Sequence, residues 1–238
     1  MTGPAVSVFE GKVLAANEAG KLAITSGQSA VAERGKGPEM RVVVKPRDAV
    51  QWTLYYPPVF YYRPADFQSL AEMDQAMIKK SAEAYMKGDF AVAFESIRGI
   101  PEKTREPRLF TYRASLLLAV GRVDEAKADI DKALNMAPNN SDALALQSII
   151  AVTQNEKDKA LTLAKKSVEA DAKSASARIA LSYAQQANFN LEGARASLEE
   201  AVKLSPENAL AWARLSEMWL SFGELKKSLN AAKKAVEL

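Results

Sequence analysis

One pattern recurs every 34 residues along more than half of this 238-residue chain. In its clearest copy, residues 107–140, alanines stand at the twentieth and twenty-seventh places (Ala126, Ala133), a glycine at the fifteenth (Gly121) and a proline at the thirty-second (Pro138). Small residues let two helices lie close together, and glycine supplies the permissive backbone of a tight turn. Proline ends a helix because it has no amide to donate. The pattern therefore predicts antiparallel helix pairs stacked along the chain.

The same places are refilled in the copies that follow, and a weaker copy precedes them. Asn155 and Phe189 replace the turn glycine in two copies, which weakens those turns. The spacing resembles the tetratricopeptide repeat, a helix–turn–helix unit of 34 residues. Over residues 64–238 the resemblance implies an array of about five repeats in a mainly α, right-handed helical solenoid. The predicted helix pairs are 74–99, 107–136, 141–170, 175–204 and 209–237.

Residues 1–63 have a different periodicity and form a separate module in this interpretation. Short runs that alternate apolar and polar residues are broken by glycine and asparagine, as in strands joined by tight turns. We predict strands near 6–8, 12–14, 21–25, 30–33, 40–45 and 50–56, with a turn at 35–38. A sheet this small buries too little apolar surface to be stable alone, so it should lean on a neighbouring part of the protein.

Two segments of this module carry a second resemblance. Residues 8–13 (VFEGKV) and 22–30 (LAITSGQSA) resemble the end of a FecR-type domain, where "V-x-E-G-x-V" is followed by "L-x-x-G-Q-x-A". Residues 46–58 are similar to the connection that joins such domains to tetratricopeptide repeats in bacterial proteins. The resemblance implies a β-rich fold in the periplasm or elsewhere outside the bacterial cytoplasm. It does not extend to the membrane helix or the regulatory segment of the signalling members.

The connection between the modules is rich in aromatic residues. We predict that it caps the first repeat, whose flank of Met77, Tyr85 and Phe94 has no preceding unit to cover it. An aromatic platform for a partner or a glycan is the alternative. The capping residues are Tyr55, Tyr56, Phe60 and Tyr61.

The helical period returns at Pro64, which places the boundary between the two modules near that residue. Ala65 and Asp66 offer an N-cap, and one apolar stripe then continues into the first repeat. The stripe consists of Phe67, Leu70, Met73, Met77 and Ile78.

Composition excludes several kinds of chemistry. The chain has no histidine and no cysteine, which removes disulfides, cysteine or histidine metal sites and every triad with a histidine base. Its formal charge is +3 with acids and bases interleaved, so no basic stripe favours nucleic acid. No apolar run approaches the roughly twenty residues that span a bilayer. We predict a non-enzyme without catalytic residues, metal or cofactor.

Function then depends on the surface of the repeats. In this family the first helix of each unit, helix A, lines a concave groove that binds proteins or peptides. Ile78 and Ala82 stand where chaperone-binding members carry a carboxylate clamp, so the resemblance implies a mostly apolar groove without that clamp. The predicted groove residues are Tyr85, Met86, Arg108, Thr111, Ser115, Leu118, Asp142, Ile149, Val152, Ile179, Tyr183, Gln186 and Glu217.

Two functions fit these observations. The first is a protein-interaction scaffold of the bacterial cell envelope. The second is a targeting module of a larger enzyme or outer-membrane protein whose working domain lies outside this chain, because both ends look cut. The last repeat should leave Trp212, Trp219, Leu225 and Leu229 partly uncovered, so a homodimer formed through this end is a further expectation.

Overall fold

The computed structural model describes residues 5–8, 12–25, 29–33, 35–41, 64–98, 100 and 104–238. The chain divides into two compact units, unit 1 with residues 1–126 and unit 2 with residues 127–238. The β-rich module and the first helices belong to unit 1, and the later helices belong to unit 2.

The described part of the β-rich module contains two antiparallel sheets. Its strands are β1 (Ala5–Ser7), β2 (Lys12–Asn17), β3 (Gly20–Thr25), β4 (Ser29–Val31) and β5 (Glu39–Arg41). One sheet has the order β1-β4-β5, whereas β2 and β3 form a hairpin with a two-residue turn. The predicted strands at 12–14 and 21–25 are confirmed. Those predicted at 42–45 and 50–56 lie outside the described residues.

A small apolar core lies inside this module. Val8, Ile24 and Ala30 are buried together, and half-buried Ala15 and Leu22 pack against them. Val8 belongs to residues 8–13, and Ile24 and Ala30 belong to residues 22–30, so both segments contribute to one core.

The helical part of unit 1 begins with a 3₁₀ helix at Pro64–Phe67. It continues with α1 (Glu72–Met86), α2 (Phe90–Arg98) and α3 (Pro107–Ala119), and α4 (Val123–Met136) runs from unit 1 into unit 2. Ile78, Ala93 and Tyr112, one from each of the first three helices, share a buried core. This core holds the first helix pair against the helix that follows it.

The start of the first repeat differs from the prediction. The helix does not run on from an N-cap at Ala65 and Asp66, because the 3₁₀ helix ends at Phe67 and α1 begins only at Glu72. The intervening turn lets Phe67 fold into the core, edge-on to the Tyr112 ring with the ring centroids 6.1 Å apart. Met73, which the continuous stripe placed on the buried side, is 71% exposed.

Unit 2 consists of helix pairs that follow the predicted bounds. Its further helices are α5 (Ser141–Thr153), α6 (Lys157–Ala170), α7 (Ala175–Ala187), α8 (Leu191–Leu204), α9 (Ala209–Ser221) and α10 (Leu225–Glu237). Each A helix is capped from the preceding residue, where an asparagine or serine side chain accepts a bond from a backbone amide. These caps are Asn140, Ser174 and Asn208, at 3.0–3.1 Å.

The turns inside the unit 2 repeats keep one backbone conformation although their residues differ. Gly223 has a φ of 74°, and Asn155 and Phe189 adopt 60° and 59° at the equivalent place. Left-handed backbone is easy for glycine, tolerated by asparagine and unfavourable for phenylalanine. Packing of the helix pair therefore imposes the turn even where the residue disfavours it.

A serine hydroxyl links helix A to the second helix, helix B, in three repeats. Its Oγ donates to a backbone carbonyl twelve residues further on, at the place where the two helices cross. The bonds are Ser81 to Ala93 (2.6 Å), Ser148 to Ala160 (2.8 Å) and Ser216 to Ser228 (2.9 Å). The small residue at the crossing thus lets the helices approach and also offers its carbonyl to the neighbouring helix.

Candidate partner-binding surface

The large apolar residues predicted to line the groove in unit 2 are buried. These are Ile149, Val152, Ile179 and Tyr183. They lie on α5 and α7, consecutive A helices that contact each other, so their surface is used inside the array. Of the other predicted residues, Asp142 and Gln186 are half-buried and Glu217 is exposed. The expectation of a mostly apolar groove therefore does not hold at these positions, because the accessible side chains are polar.

Three predicted groove residues of unit 1 are also buried. The hydroxyl of Thr111 donates to the Pro107 carbonyl at 3.1 Å, and that of Ser115 donates to the Tyr112 carbonyl at 2.6 Å. Leu118 has no exposed surface. The two hydroxyls bond within α3, and all three side chains are buried, so they offer no surface to a partner.

Arg108 holds the start of α3 to the preceding 3₁₀ helix. Its Nη1 lies 3.4 Å from Oδ1 of Asp66 and donates to the Asp66 carbonyl at 3.3 Å. Glu106 caps α3 by accepting from the Arg108 amide and also accepts from the Ser69 hydroxyl at 2.7 Å. Arg108 thus has a structural role, although its side chain is 56% exposed.

Tyr85 and Met86 occupy the end of α1. The Tyr85 ring lies edge-on to Phe90, with the ring centroids 5.7 Å apart, and burial raises the pKa of its phenol. The phenol therefore stays protonated at neutral pH. Met86 is 81% exposed and is the most accessible apolar residue of the predicted groove in unit 1.

In unit 2, three of the predicted residues lie around Arg214, a residue that was not predicted. The guanidinium of Arg214 donates through Nη1 to Glu217 and through Nη2 to Oε1 of Gln186, the latter at 2.6 Å. It also lies over the Tyr183 ring, with Cζ 4.8 Å from the ring centroid. Gln186 and Tyr183 belong to α7, whereas Arg214 and Glu217 belong to α9. We call these four residues the Arg214 site.

Arg214 fixes the positions of two hydrogen-bond acceptors, the side chains of Gln186 and Glu217. A buried cation is stable only when it is paired and hydrogen-bonded, and Arg214 is 5% exposed. The planar guanidinium is paired through Nη1 and Nη2 and its face stacks on an aromatic ring, whereas its buried Nε has no hydrogen-bond partner among the described residues. The Glu217 side chain remains 55% exposed, and a carboxylate can accept more bonds than the one from Arg214.

Sequence reasoning found Tyr183, Gln186 and Glu217 but missed Arg214, which holds them. The available signal was spacing: Arg214 and Glu217 stand three apart, so they share one face of the helix. The contact to Gln186 crosses 28 residues and has no local signal.

The predicted cap residues Tyr55, Tyr56, Phe60 and Tyr61 lie outside the described residues, so the aromatic cap stays a prediction. The described residues that pack against the core of the first repeat from upstream are Phe67 and Leu70. They belong to the same apolar cluster as Met77, Tyr85 and Phe94, the flank of the first repeat that the aromatic cap was predicted to cover.

The described ranges contain neither a metal-binding cluster nor a membrane-spanning helix. No group of three or more acidic side chains is arranged there to hold a metal ion. None of the helices described is long and apolar enough to cross a bilayer.

Comparisons with known proteins agree with this architecture. The family model for the tetratricopeptide repeat matches residues 113–175 and 178–238, just over half of the chain. Comparison with curated protein sequences finds no match.

Among solved structures, TTC0263, a thermophilic tetratricopeptide repeat protein of Thermus thermophilus, has a TM-score of 0.59 at 19% identity. That match covers 69% of this chain and 90% of TTC0263. MamA from Desulfovibrio magneticus RS-1 has a TM-score of 0.46 at 20% identity, covering 71% of this chain and 96% of that one. The chain belongs to the tetratricopeptide repeat family, whose members generally are non-catalytic scaffolds that bind proteins or peptides.

Proposed function

We propose that this protein is a non-catalytic interaction scaffold of the bacterial cell envelope. In this proposal it binds a segment of a partner protein over the A helices of unit 2. The observation that carries the proposal is the Arg214 site, where one buried guanidinium fixes the side chains of Gln186 and Glu217 from two adjacent repeats.

The fixed acceptors favour a partner that presents hydrogen-bond donors. Glu217 can accept from a backbone amide or from a lysine or arginine side chain, and its position is set before the partner arrives. Such preorganisation lowers the entropy lost on binding. Leu220 lies three residues beyond Glu217 and is 57% exposed, which offers an apolar contact beside the acceptor. We therefore expect a segment with a basic residue next to an apolar one.

The location in the cell envelope rests on the β-rich module. Its two FecR-like segments, 8–13 and 22–30, contribute to the core around Ile24, and domains of that type are extracytoplasmic. Fractionation of the source cell tests this part: the protein should appear in the envelope or periplasmic fraction. Recovery in the cytoplasmic fraction alone would remove the envelope from the proposal.

Partner binding is tested by affinity capture with matched variants. The wild-type chain, Glu217→Gln and Glu200→Gln are used as baits with an envelope extract, and each captured protein is then purified and titrated. Glu200 lies on helix B of the preceding repeat, exposed and paired with Lys203 at 2.6 Å, so its variant controls for loss of an acidic charge. A partner of the Arg214 site binds the wild type and Glu200→Gln alike and loses about tenfold with Glu217→Gln, as expected for a charge-assisted hydrogen bond. Equal binding by all three proteins would refute this site.

A further inference from the structure

An arginine without an acidic partner lies where the repeat of α7 and α8 meets the repeat of α9 and α10. Arg195 of α8 is half-buried, and its Cζ lies 4.9 Å from the centroid of the Trp219 ring and 5.3 Å from that of the Phe222 ring. Glu192 and Glu199, three and four residues away on the same helix, do not pair with it. Within the part of the chain that the structure describes, this cation therefore contacts two rings but no carboxylate.

The surroundings of Arg195 hold one side of its guanidinium and leave the other side accessible. Its Nε is buried and has no hydrogen-bond acceptor among the described residues. Its two Nη groups likewise have no acceptor there, but they are not buried. Aromatic faces attract a cation, yet they do not satisfy N–H donors that lie in the guanidinium plane. The accessible pair of Nη groups matches a carboxylate, which can accept one hydrogen bond from each.

A second cation lies against the same Trp219 ring. Nζ of Lys227, on α10, is 4.4 Å from the ring centroid. Lys227 is also paired with Glu224, but the distance is 3.6 Å and both side chains are about half exposed. An exposed ion pair of this kind contributes little to stability, so Lys227 can also contact an incoming anion.

Packing of consecutive repeats does not require this group of residues. At the junction one repeat earlier, the places of Arg195, Trp219 and Phe222 are occupied by neutral residues. There the side chain of Asn188 donates to the Lys157 carbonyl at 3.1 Å. Two repeats can therefore be joined at this place without a cation on aromatic rings. The neutral residues are Leu161, Gln185 and Asn188.

The places of Phe222 and Lys227 are also accessible inside the array. Phe222 is 38% exposed, and its equivalent in the repeat of α5 and α6 is Gln154, which is exposed. The equivalent of Lys227 is Lys159, whose side chain is 59% exposed. Both stay accessible although α7 packs against α5 and α6. The accessibility of these places therefore does not depend on whether a further repeat follows.

We propose that Arg195, Trp219, Phe222 and Lys227, here called the Arg195 site, form a second binding site. It takes the carboxylate of an aspartate or glutamate in a partner protein. The carboxylate accepts from both Nη groups of Arg195, and Lys227 adds electrostatic attraction. An apolar or aromatic neighbour of the acidic residue packs on the exposed part of the Phe222 ring.

Acidic residues around the Arg195 site favour a single carboxylate over a polyanion. Glu192 precedes Arg195 by one helical turn, and Glu224 lies beside Lys227. Both carboxylates would repel the successive phosphates of a nucleic acid or of an anionic lipid surface. A protein segment with one acidic residue meets less of this repulsion.

The test selects ligands from a phage-displayed library of random peptides, with the whole chain as bait. A parallel selection uses Arg195→Leu, which introduces the residue that Leu161 provides one repeat earlier, so the junction should stay packed. A thermal melt followed by circular dichroism checks that this variant is folded. Peptides enriched on the wild type alone should carry an aspartate or glutamate next to an aromatic or aliphatic residue.

Titration of the enriched peptides by fluorescence anisotropy tests the role of each charge. Replacing the acidic residue of the peptide by its amide should lower the affinity about tenfold, as expected for charge-assisted hydrogen bonds. Lys227→Gln should lower it about threefold, as expected for an exposed charge. Lys159→Gln makes the same change of charge at the equivalent place two repeats earlier and should leave the affinity unchanged. Glu217→Gln should also leave it unchanged, because Glu217 belongs to the Arg214 site.

Three results would overturn the proposal. The first is that the wild type enriches no acidic peptides, or that Arg195→Leu enriches the same ones. The second is an equal loss of affinity with Lys227→Gln and Lys159→Gln. The third is tighter binding of a single-stranded oligonucleotide, or of vesicles of phosphatidylcholine and phosphatidylserine, than of the selected peptides.

Discussion

Removing the hydroxyl of Ser148 isolates the bond that links helix A to helix B in the repeat of α5 and α6. Ser148 has no exposed surface, and its Oγ donates to the Ala160 carbonyl at 2.8 Å. A buried neutral hydrogen bond contributes about 0.5–1.5 kcal/mol net, and alanine regains about half a kcal/mol of helix propensity. We therefore expect Ser148→Ala to lower the free energy of unfolding by up to about 1 kcal/mol.

The next repeat provides a matched control. Ser182 occupies the same place of its A helix and is also buried, but its hydroxyl donates to the Ile179 carbonyl of its own helix at 2.7 Å. Such a bond to the preceding turn adds little to stability and can bend a helix slightly. Ser182→Ala should therefore change the free energy of unfolding by less than about 0.5 kcal/mol.

Urea denaturation followed by circular dichroism at the helical band compares the two variants. With a slope of about 2.5 kcal/mol per M, a loss of 1 kcal/mol lowers the midpoint by about 0.4 M. Hydrogen exchange should locate the loss of protection in α5 and α6, because each repeat contacts only its neighbours. Equal midpoints for Ser148→Ala and Ser182→Ala would refute the reasoning, since the bond between the helices would then contribute no more than one within a helix.

Four further substitutions test other parts of the account. Gly223→Ala should cost about 1 kcal/mol in a denaturation experiment, because φ is 74° there and no atom lies within 4 Å of the added Cβ to cause a clash. Ala126→Leu should cost about 1–3 kcal/mol by overpacking a residue with no exposed surface, and an unchanged midpoint would show that this crossing is misassigned. Arg214→Met should lower stability by about 1–3 kcal/mol in the same assay and leave Gln186 and Glu217 without their donor. Arg214→Lys should recover only part of that loss, because an ammonium lacks the planar fork; full recovery would mean that charge alone suffices.

The helical architecture could be predicted because its determinants are local. Small residues, turn residues and prolines recur at fixed spacing, so the bounds of α5 to α10 follow from counting along the chain. Even Asn155 and Phe189, which disfavour the turn, adopt its left-handed backbone. Packing of two long helices outweighs an unfavourable turn residue that costs on the order of 1–2 kcal/mol.

The features that sequence reasoning missed depend on contacts between distant residues. The hydrogen bond between Arg214 and Gln186 joins two repeats, and the spacing of these residues in the sequence does not predict it. Ser148 has only the signal of a serine in a mostly apolar helix, and Ser182 shows that the same signal can accompany a different bond. Phe67 does not follow the predicted stripe because its ring packs against the Tyr112 ring. The helical period of the sequence does not predict this contact.

The groove illustrates the same limit. Family positions identify which residues of helix A face the neighbouring repeats, but they do not distinguish side chains that touch a partner from those that pack between helices. Ile179 and Tyr183 have no exposed surface, whereas Glu217 remains accessible. Burial, which sequence position alone does not give, therefore changes the expected partner from an apolar segment to one that carries hydrogen-bond donors.

Hydrogen–deuterium exchange on the complex with a captured partner tests the central proposal most directly. If the partner lies on the Arg214 site, binding protects amides near Gln186 in α7 and near Glu217 in α9, while α10 and the β-rich module keep their exchange rates. The same partner should give no such protection with Arg214→Met. Protection confined to other helices, or equal protection in wild type and variant, would contradict the proposal that this site binds the partner.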